Sequence, residues 1–537
     1  MTLNSITRVK NAINQRWKHA LSDQRWKRLK QEVTQNASAP QAIPPVVFFN
    51  SSTRLQAISQ NAAYSFLTLQ ALRLQGVPVI QFACNAGLTR CTLGSNRDDV
   101  NQQPPCERCV AQSHVLFDDL SVRWFEYKED SVLAAELEKR SVEELMSLRY
   151  QEVPLGFWAV NSLRWVLRRH HLQDDAPTRA FLRHYILSGW NVYQQFSRLA
   201  EEVHPQAVVE FNGMFYPEAA IRFVCLQKGI RVITHEVGLR PFTAFFTDGE
   251  ATAYPIHISP EFQLTPAMDE RLDQYLSERF KGNFSMAGIR FWPEMKGLDA
   301  AFLEKASHFK QIVPVFTNVI FDTSQVHANT IFADMFIWLD NVKDAIEKHP
   351  ETLFVIRAHP DEFRAGKEAR ESVSGWVKQS KVDQLPNVVF VDSQEFLSSY
   401  DLIQRSHFVM VYNSTIGLEA ILMGKVVLAG GKARFTQLET AYLPKTLPEY
   451  DALLEKFLTE PKPEVPAHFI VNARRFLYYQ LYLSSLPFDE FLREDGVWKG
   501  YVTLKDFPLS QLTPAASTTL RVLSDGILRG SPFEMPL

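Results

Sequence analysis

Two short apolar runs, Leu353–Ile356 and Phe408–Val411, each stop abruptly at a polar cluster, Arg357–His359 and Tyr412–Thr415. Apolar runs of this length, rich in β-branched residues, read as strands buried on both faces, as in parallel sheets. A parallel sheet requires crossover connections, usually helices, so this pattern restricts the chain to an α/β architecture. In an open sheet of that kind, ligands sit beyond the carboxyl ends of the strands. Both polar clusters are therefore expected in one crevice.

The second cluster opens a helix. Asn413, Ser414 and Thr415 are good N-caps, Ile416–Met423 is a good helix, and Gly424 stops it. A helix start leaves N–H groups unpaired and carries partial positive charge, which favours phosphate. Gly417, in the first turn, offers a ligand close approach to the backbone. Glu419 is not spaced for a capping box with Ser414 or Thr415; one turn in, it can reach the hydroxyls of a ribose. Taken singly, these motifs also read as an ordinary capped helix with a solvated glutamate, and as a plain strand-ending turn at His359-Pro360. Together they are more specific.

The same alternation runs through most of the 537 residues. Residues 41–290 read as a first α/β domain. Its strands are expected at Val46–Phe49, Val77–Ala83, Val208–Phe211 and Val232–Thr234, with helices starting near Asn50–Thr53 and over Ala62–Gln75 and Pro217–Lys228. It carries a cysteine-rich loop, 84–109, and a helical insertion, 130–200, with Arg164, Arg168, Arg169, His170 and His171. Phe284–Gly297 reads as the link to a second α/β domain, 305–460, with strands at Ile312–Phe316, Leu353–Ile356, Val388–Val391, Phe408–Val411 and Val426–Leu428. Residues 461–537 form a helical extension that opens on an aromatic helix. The fold class is thus α/β with two Rossmann-like domains. Residues 1–40 form a basic amphipathic segment in which Ile6, Val9, Ile13, Trp17 and Ala20 recur at helical spacing. Trp17 and Trp26 among lysines and arginines suit peripheral contact with an anionic membrane, or equally a helix packed on the body.

A net charge of −3 argues against a general nucleic-acid binder. No apolar stretch is long enough to span a bilayer and the N-terminus lacks an apolar signal region, so a cytoplasmic location is expected. The five cysteines then belong to a reducing compartment. Four of them, Cys84, Cys91, Cys106 and Cys109, follow the pattern C-x6-C-x14-C-x2-C. Four thiolates suit a structural zinc ion, with an iron–sulfur cluster or a set of reduced thiols as alternatives. Cys225 reads as core.

RAHP (357–360) followed by YNSTIGLEAILMGK (412–425) resembles the C-terminal half of the capsule polysaccharide biosynthesis proteins, as do FTNVIFDTS (316–324) and, more loosely, the FNG and HEVG segments. That family comprises glycosyltransferases of the two-domain GT-B type, among them the Kdo transferases of capsule assembly. The resemblance implies a nucleotide-sugar donor held by His359, Ser414, Thr415 and Glu419, and a glycan or lipid-linked acceptor. The Gln-Pro motif of the Kdo transferases has no counterpart at a matching place, so Kdo is not implied as the sugar.

Glycosyl transfer needs a stabilised leaving group and an activated acceptor hydroxyl. No Asp-x-Asp pair is present to hold a diphosphate through a metal ion. Metal-independent stabilisation then falls to Ser414–Gly417, His359 and Arg357, with Lys432 and Arg434 as further cations. The candidate bases are Glu236, His235, Glu210 and Asp322; Asp322 can equally cap the helix that follows. A glycerol- or ribitol-phosphate transferase of the teichoic-acid type and a non-catalytic scaffolding subunit are the competing readings.

Overall fold

The computed structural model describes residues 3–52, 57–118, 121–281, 296–364, 368–496 and 500–537, with side chains of the first helix described from Gln15 onward. Its strands are β1 (Val46–Asn50), β2 (Val79–Cys84), β3 (Ser121–Phe125), β4 (Ala207–Phe211), β5 (Arg231–Val237), β6 (Thr243–Asp248), β7 (Gln311–Phe316), β8 (Thr352–Arg357), β9 (Val388–Val391), β10 (Val409–Val411), β11 (Val427–Ala429) and β12 (Leu486–Pro487). They form a seven-stranded sheet, β12-β6-β5-β4-β1-β2-β3, and a five-stranded sheet, β9-β8-β7-β10-β11. The second sheet is parallel throughout. In the first, β5-β4-β1-β2-β3 are parallel and β6 and β12 are antiparallel additions. Each parallel core therefore has the doubly wound Rossmann order, and each strand order reverses at one point, β1/β4 in the first sheet and β7/β10 in the second. The chain is an α/β protein with two Rossmann-like domains.

Helices cover both faces of each sheet, because the inner parallel strands are largely apolar and buried on both sides. The helical insertion, Ser131–Leu137, Val142–Met146, Leu155–Leu167 and Ala176–Val203, covers one face of the first sheet. The helix expected at Asn50–Thr53 starts instead at Gln60, where the Ser59 hydroxyl accepts from the Ala62 N–H at 3.2 Å; Thr53 lies outside the described residues. The expected helical extension also carries β12 and the short strands Leu492–Glu494 and Tyr501–Leu504, and two longer strands escape a hydrophobicity reading. β3 is an edge strand of alternating exposure, and β6 is a return strand paired to β5.

The first helix, Leu3–Asn36, packs on the body through its second half. Trp26, Leu29 and Val33 enter the core of the first domain, with Trp26 edge-on to Phe66 at 5.3 Å. Trp17, by contrast, is 68% exposed. Of the apolar positions that suggested amphipathicity, the side chains of Ile6, Val9 and Ile13 lie outside the described residues.

Ile258, Leu272 and Leu276 already pack in the core of the second domain, so helix Pro266–Phe280 belongs to that domain. Most of the link expected at Phe284–Gly297 lies outside the described residues. The aromatic helix Ala467–Tyr478 also stays with the second core; the residues after it make the return. Leu486 and Pro487 pair with Ala244 and Thr243 of β6. Leu492–Glu494 and Tyr501–Leu504 then join Ile58–Ser59 in a small sheet, and helix Thr518–Arg529 packs on helix Gln60–Leu74. No described helix is long and apolar enough to cross a membrane.

Candidate functional site

The carboxyl ends of β7 and β10 are neighbours, with Phe316 aligned to Val411. Beyond them, Asn413 and Asn318 meet: the Asn318 amide donates to Asn413 Oδ1 at 2.6 Å and Gln325 Nε2 donates to it at 3.3 Å. The Tyr412 hydroxyl donates to Asn329 Oδ1 at 2.6 Å. Gln325 and Asn329 line a cavity with Asp322 on the second-domain side and with Asn161, Arg164 and His170 of the helical insertion opposite. Asn413 is thus one hydrogen bond from the wall of an interdomain cavity.

The helix after Asn413 differs from its expected role in three ways. It runs only from Ile416 to Leu422. Ser414 is buried and Thr415 exposed, and the N–H groups of Gly417 and Leu418 turn back to the carbonyls of Ser414 and Thr415, both at 3.1 Å. Second, Gly417 faces inward. A Cβ there would lie 2.8 Å from the Phe435 ring and 3.2 Å from Val411, so the glycine serves helix–sheet packing rather than ligand approach. Third, Glu419 is 5% exposed and both its oxygens are engaged. Oε1 accepts from Arg279 Nε and Nη2 at 2.8 and 2.6 Å, and Oε2 accepts from the Tyr400 hydroxyl at 2.6 Å. As arranged, Glu419 anchors helix Pro266–Phe280 and is not presented to a ribose.

Arg357 ends β8, opposite Phe316 of β7 and Val391 of β9. Thr317 holds its backbone by donating N–H and Oγ1 to the Arg357 carbonyl at 3.2 and 2.9 Å. The side chain is 4% exposed, and burial lowers the guanidinium to about 10, with Glu395 opposing. Two residues on, His359 Nδ1 accepts the Asp361 N–H at 3.1 Å at the start of the Pro360–Phe363 turn. That bond puts the neutral ring's proton on Nε2. Burial lowers the His359 pKa; Arg357 adds to this while Asp361 and Asp322 oppose it. A neutral N–H donor results.

Asp322 does the local work of a cap, its Oδ1 accepting the Ser324 N–H at 2.8 Å. It also lines the cavity, and its charge acts on both His359 and Glu236.

Across the cleft, successive residues of β5 point to opposite faces, which separates the two neighbouring base candidates. His235 is 1% exposed and stacks on Phe246 at 5.0 Å in the core; burial drives its pKa down to about 3. Placed there, it cannot serve an acceptor in the cleft. Glu236 is only partly buried, and its Oε1 accepts from the Asn212 amide at 2.7 Å. Burial raises its pKa; the Asn212 and Val237 N–H groups and the Arg434 charge pull it back, while Asp322 pushes it up. Asn212 adopts φ +62° at the end of β4, which lets its amide turn to Glu236; the Asn-Gly pair at that strand end is the sequence signal for it. Arg434, read from sequence as a phosphate or surface cation, lies over the Tyr254 ring at 3.5 Å and spans the two domains. Lys432 is exposed.

Glu210 is fully buried, with neither carboxylate oxygen hydrogen-bonded, and burial raises its pKa well above the usual range. Glu218 beside it accepts from Ser51 at 2.7 Å and is raised by burial to about 7. Both lie within the first domain, near the β1/β4 reversal.

The four loop cysteines are reduced. The Gly87 N–H donates to Cys84 Sγ at 3.2 Å and the Gly94 N–H to Cys91 Sγ at 3.1 Å, while Cys106 and Cys109 open helix Cys106–Phe117. Burial raises the thiols of Cys84, Cys91 and Cys106. Among the described residues, three metal-ligating atoms come within 4.8 Å of one another at His170, His171 and Asp334, not at these cysteines.

The second-domain half of this site lies within a stretch that a sequence-family model matches. Residues 294–438 match the family described as capsule polysaccharide biosynthesis protein. Protein FixF of Sinorhizobium fredii is 31% identical over 232 residues, 42% of this chain and 48% of the relative, so the chain spans about half the length of that curated relative. Among solved structures, the Thermosulfurimonas dismutans KpsC β-Kdo 2,4-transferase is 12% identical, covering 52% of this chain and 80% of that one at a TM-score of 0.33. The UDP-GlcNAc 2-epimerase from Neisseria meningitidis, bound to UDP-GlcNAc, is 12% identical, covering 81% and 98% at a TM-score of 0.23.

Proposed function

We propose that the protein is a glycosyltransferase of surface-polysaccharide assembly, moving a sugar from a nucleotide-sugar donor to a glycan or lipid-linked acceptor. One observation carries the reading. A cavity lined by Asp322, Gln325 and Asn329 of the second domain and by Asn161, Arg164 and His170 of the first lies beyond the strand ends of the family-matched segment, and the Asp322 charge acts on both His359 and Glu236. In this reading the donor's phosphate lies beyond β7, β8 and β10, where the Arg357 guanidinium and the His359 Nε2–H stabilise the charge of the departing group. Glu236, its pKa raised by burial, takes the proton of the acceptor hydroxyl. The acceptor oxygen bonds to the anomeric carbon, and the bond from that carbon to phosphate oxygen breaks with its electron pair. Ser414 and Thr415 open the helix behind Asn413, and Glu419 acts through Arg279.

The test is product analysis. The full chain, a nucleotide sugar and an oligosaccharide or glycolipid acceptor are expected to yield a new glycoside by mass spectrometry, and His359→Ala is expected to abolish it. A phosphodiester product, or wild-type turnover by that variant, removes the assignment.

A further inference from the structure

Between its helices Leu155–Leu167 and Ala176–Val203 the helical insertion carries Arg168-Arg169-His170-His171, and these two histidines meet Asp334 of the second domain. We propose that His170, His171 and Asp334 form a binding site for a divalent transition-metal ion of the zinc type, joining the two domains beside the cleft. One ligating atom from each lies within 4.8 Å of the other two. His171 Nε2 and Asp334 Oδ2 are 3.2 Å apart. Two ligands at about 2.0–2.1 Å from a tetrahedral zinc ion stand roughly 3.3 Å apart, so this pair already has the required separation.

The surroundings are those of a supported ligand set. Glu371 Oε1 stands 2.5 Å from His171 Nδ1, and its Oε2 accepts the backbone N–H groups of His170 and His171 at 2.7 and 3.0 Å. A carboxylate behind one ring nitrogen fixes the ring and commits the other nitrogen to the ion. Asp334 is similarly divided: Oδ1 accepts from Phe336 and Ile337 N–H groups at 2.7 and 3.1 Å, which aims Oδ2 at His171. The Arg164 guanidinium, bound to the His170 carbonyl at 2.8 Å, is the nearby cation, and the Asp334 and Glu371 carboxylates offset its charge. His171 is exposed, which gives the ion an entry path, and His170 lines the cavity shared with Asp322. Three protein ligands and one open position describe an exchangeable site rather than a closed structural one. The inference stands independently of the transfer reaction.

Co2+ as a zinc surrogate distinguishes this site from any ion held by the cysteines. Titrated into the full chain, Co2+ is expected to produce visible d–d absorption from a nitrogen- and oxygen-ligated ion, without thiolate charge-transfer bands. His171→Gln and Asp334→Ser should each remove that component; serine keeps an oxygen for the helix cap, so the fold survives. Zn2+ should raise the melting temperature of the wild type by a few degrees and leave both variants unmoved. The proposal is overturned if no Co2+ binds, if all bound Co2+ carries thiolate bands, or if the His171→Gln titration matches the wild type.

Discussion

Glu236, the proposed base, is subject to two opposed effects, burial that raises its pKa and the Asn212 amide that restrains the rise. A base acts only when ionised, so kcat/KM should fall as pH falls through this pKa, placing the acid limb above the ordinary glutamate value. Glu236→Gln should cost about 100-fold or more in kcat with an unchanged melting temperature. Glu218 gives a stability effect of defined sign. Its folded pKa of about 7 exceeds the unfolded value near 4.5, so its contribution is fully present below pH 4.5 and is lost as pH rises through 7. Glu218→Gln should remove that loss, a gain on the order of 3 kcal/mol at pH 8 over pH 4 relative to wild type, read from urea melts at the two values. Residue roles were only partly legible in the sequence. His235 and Glu236 look alike in a strand-end dipeptide, and only the alternation of β5 against a packed core separates them. Glu419 looked free for a ribose because its partner, Arg279, lies 140 positions away.

Elements were more legible than roles. The strands of the second domain follow from apolar runs bounded by polar residues, since a strand buried on both faces leaves no alternative pattern. β3 and β6 were not legible, because edge and return strands depend on the strand they pair with. The same dependence makes helix Pro266–Phe280 part of the second domain through Leu272, Leu276 and the Arg279–Glu419 pair. Arg279→Ala leaves a buried carboxylate without its cation and should destabilise by about 3–5 kcal/mol, measured by denaturant unfolding. If Glu419 instead served only a ligand, the substitution would leave stability unchanged and weaken donor binding alone.

At the scale of the whole molecule, the chain passes from the first sheet to the second and back, so that β12 and the last helix complete the first domain. Contacts between the domains surround the cleft. Arg97 meets Glu368 at 3.2 Å, His327 meets Glu250 at 3.2 Å, and Gln437 Nε2 donates to the Tyr254 carbonyl at 2.9 Å. A ligand bound between the domains stabilises both, because it binds only the folded arrangement. The central claim is that the strand ends beyond β7, β8 and β10 hold a nucleotide sugar. Calorimetry of the full chain against CMP-, UDP-, GDP- and dTDP-sugars tests it most directly. At least one should bind at a single site per chain, with affinity reduced at least tenfold in His359→Ala while Glu236→Gln still binds. Heats indistinguishable from dilution across all four classes would contradict it.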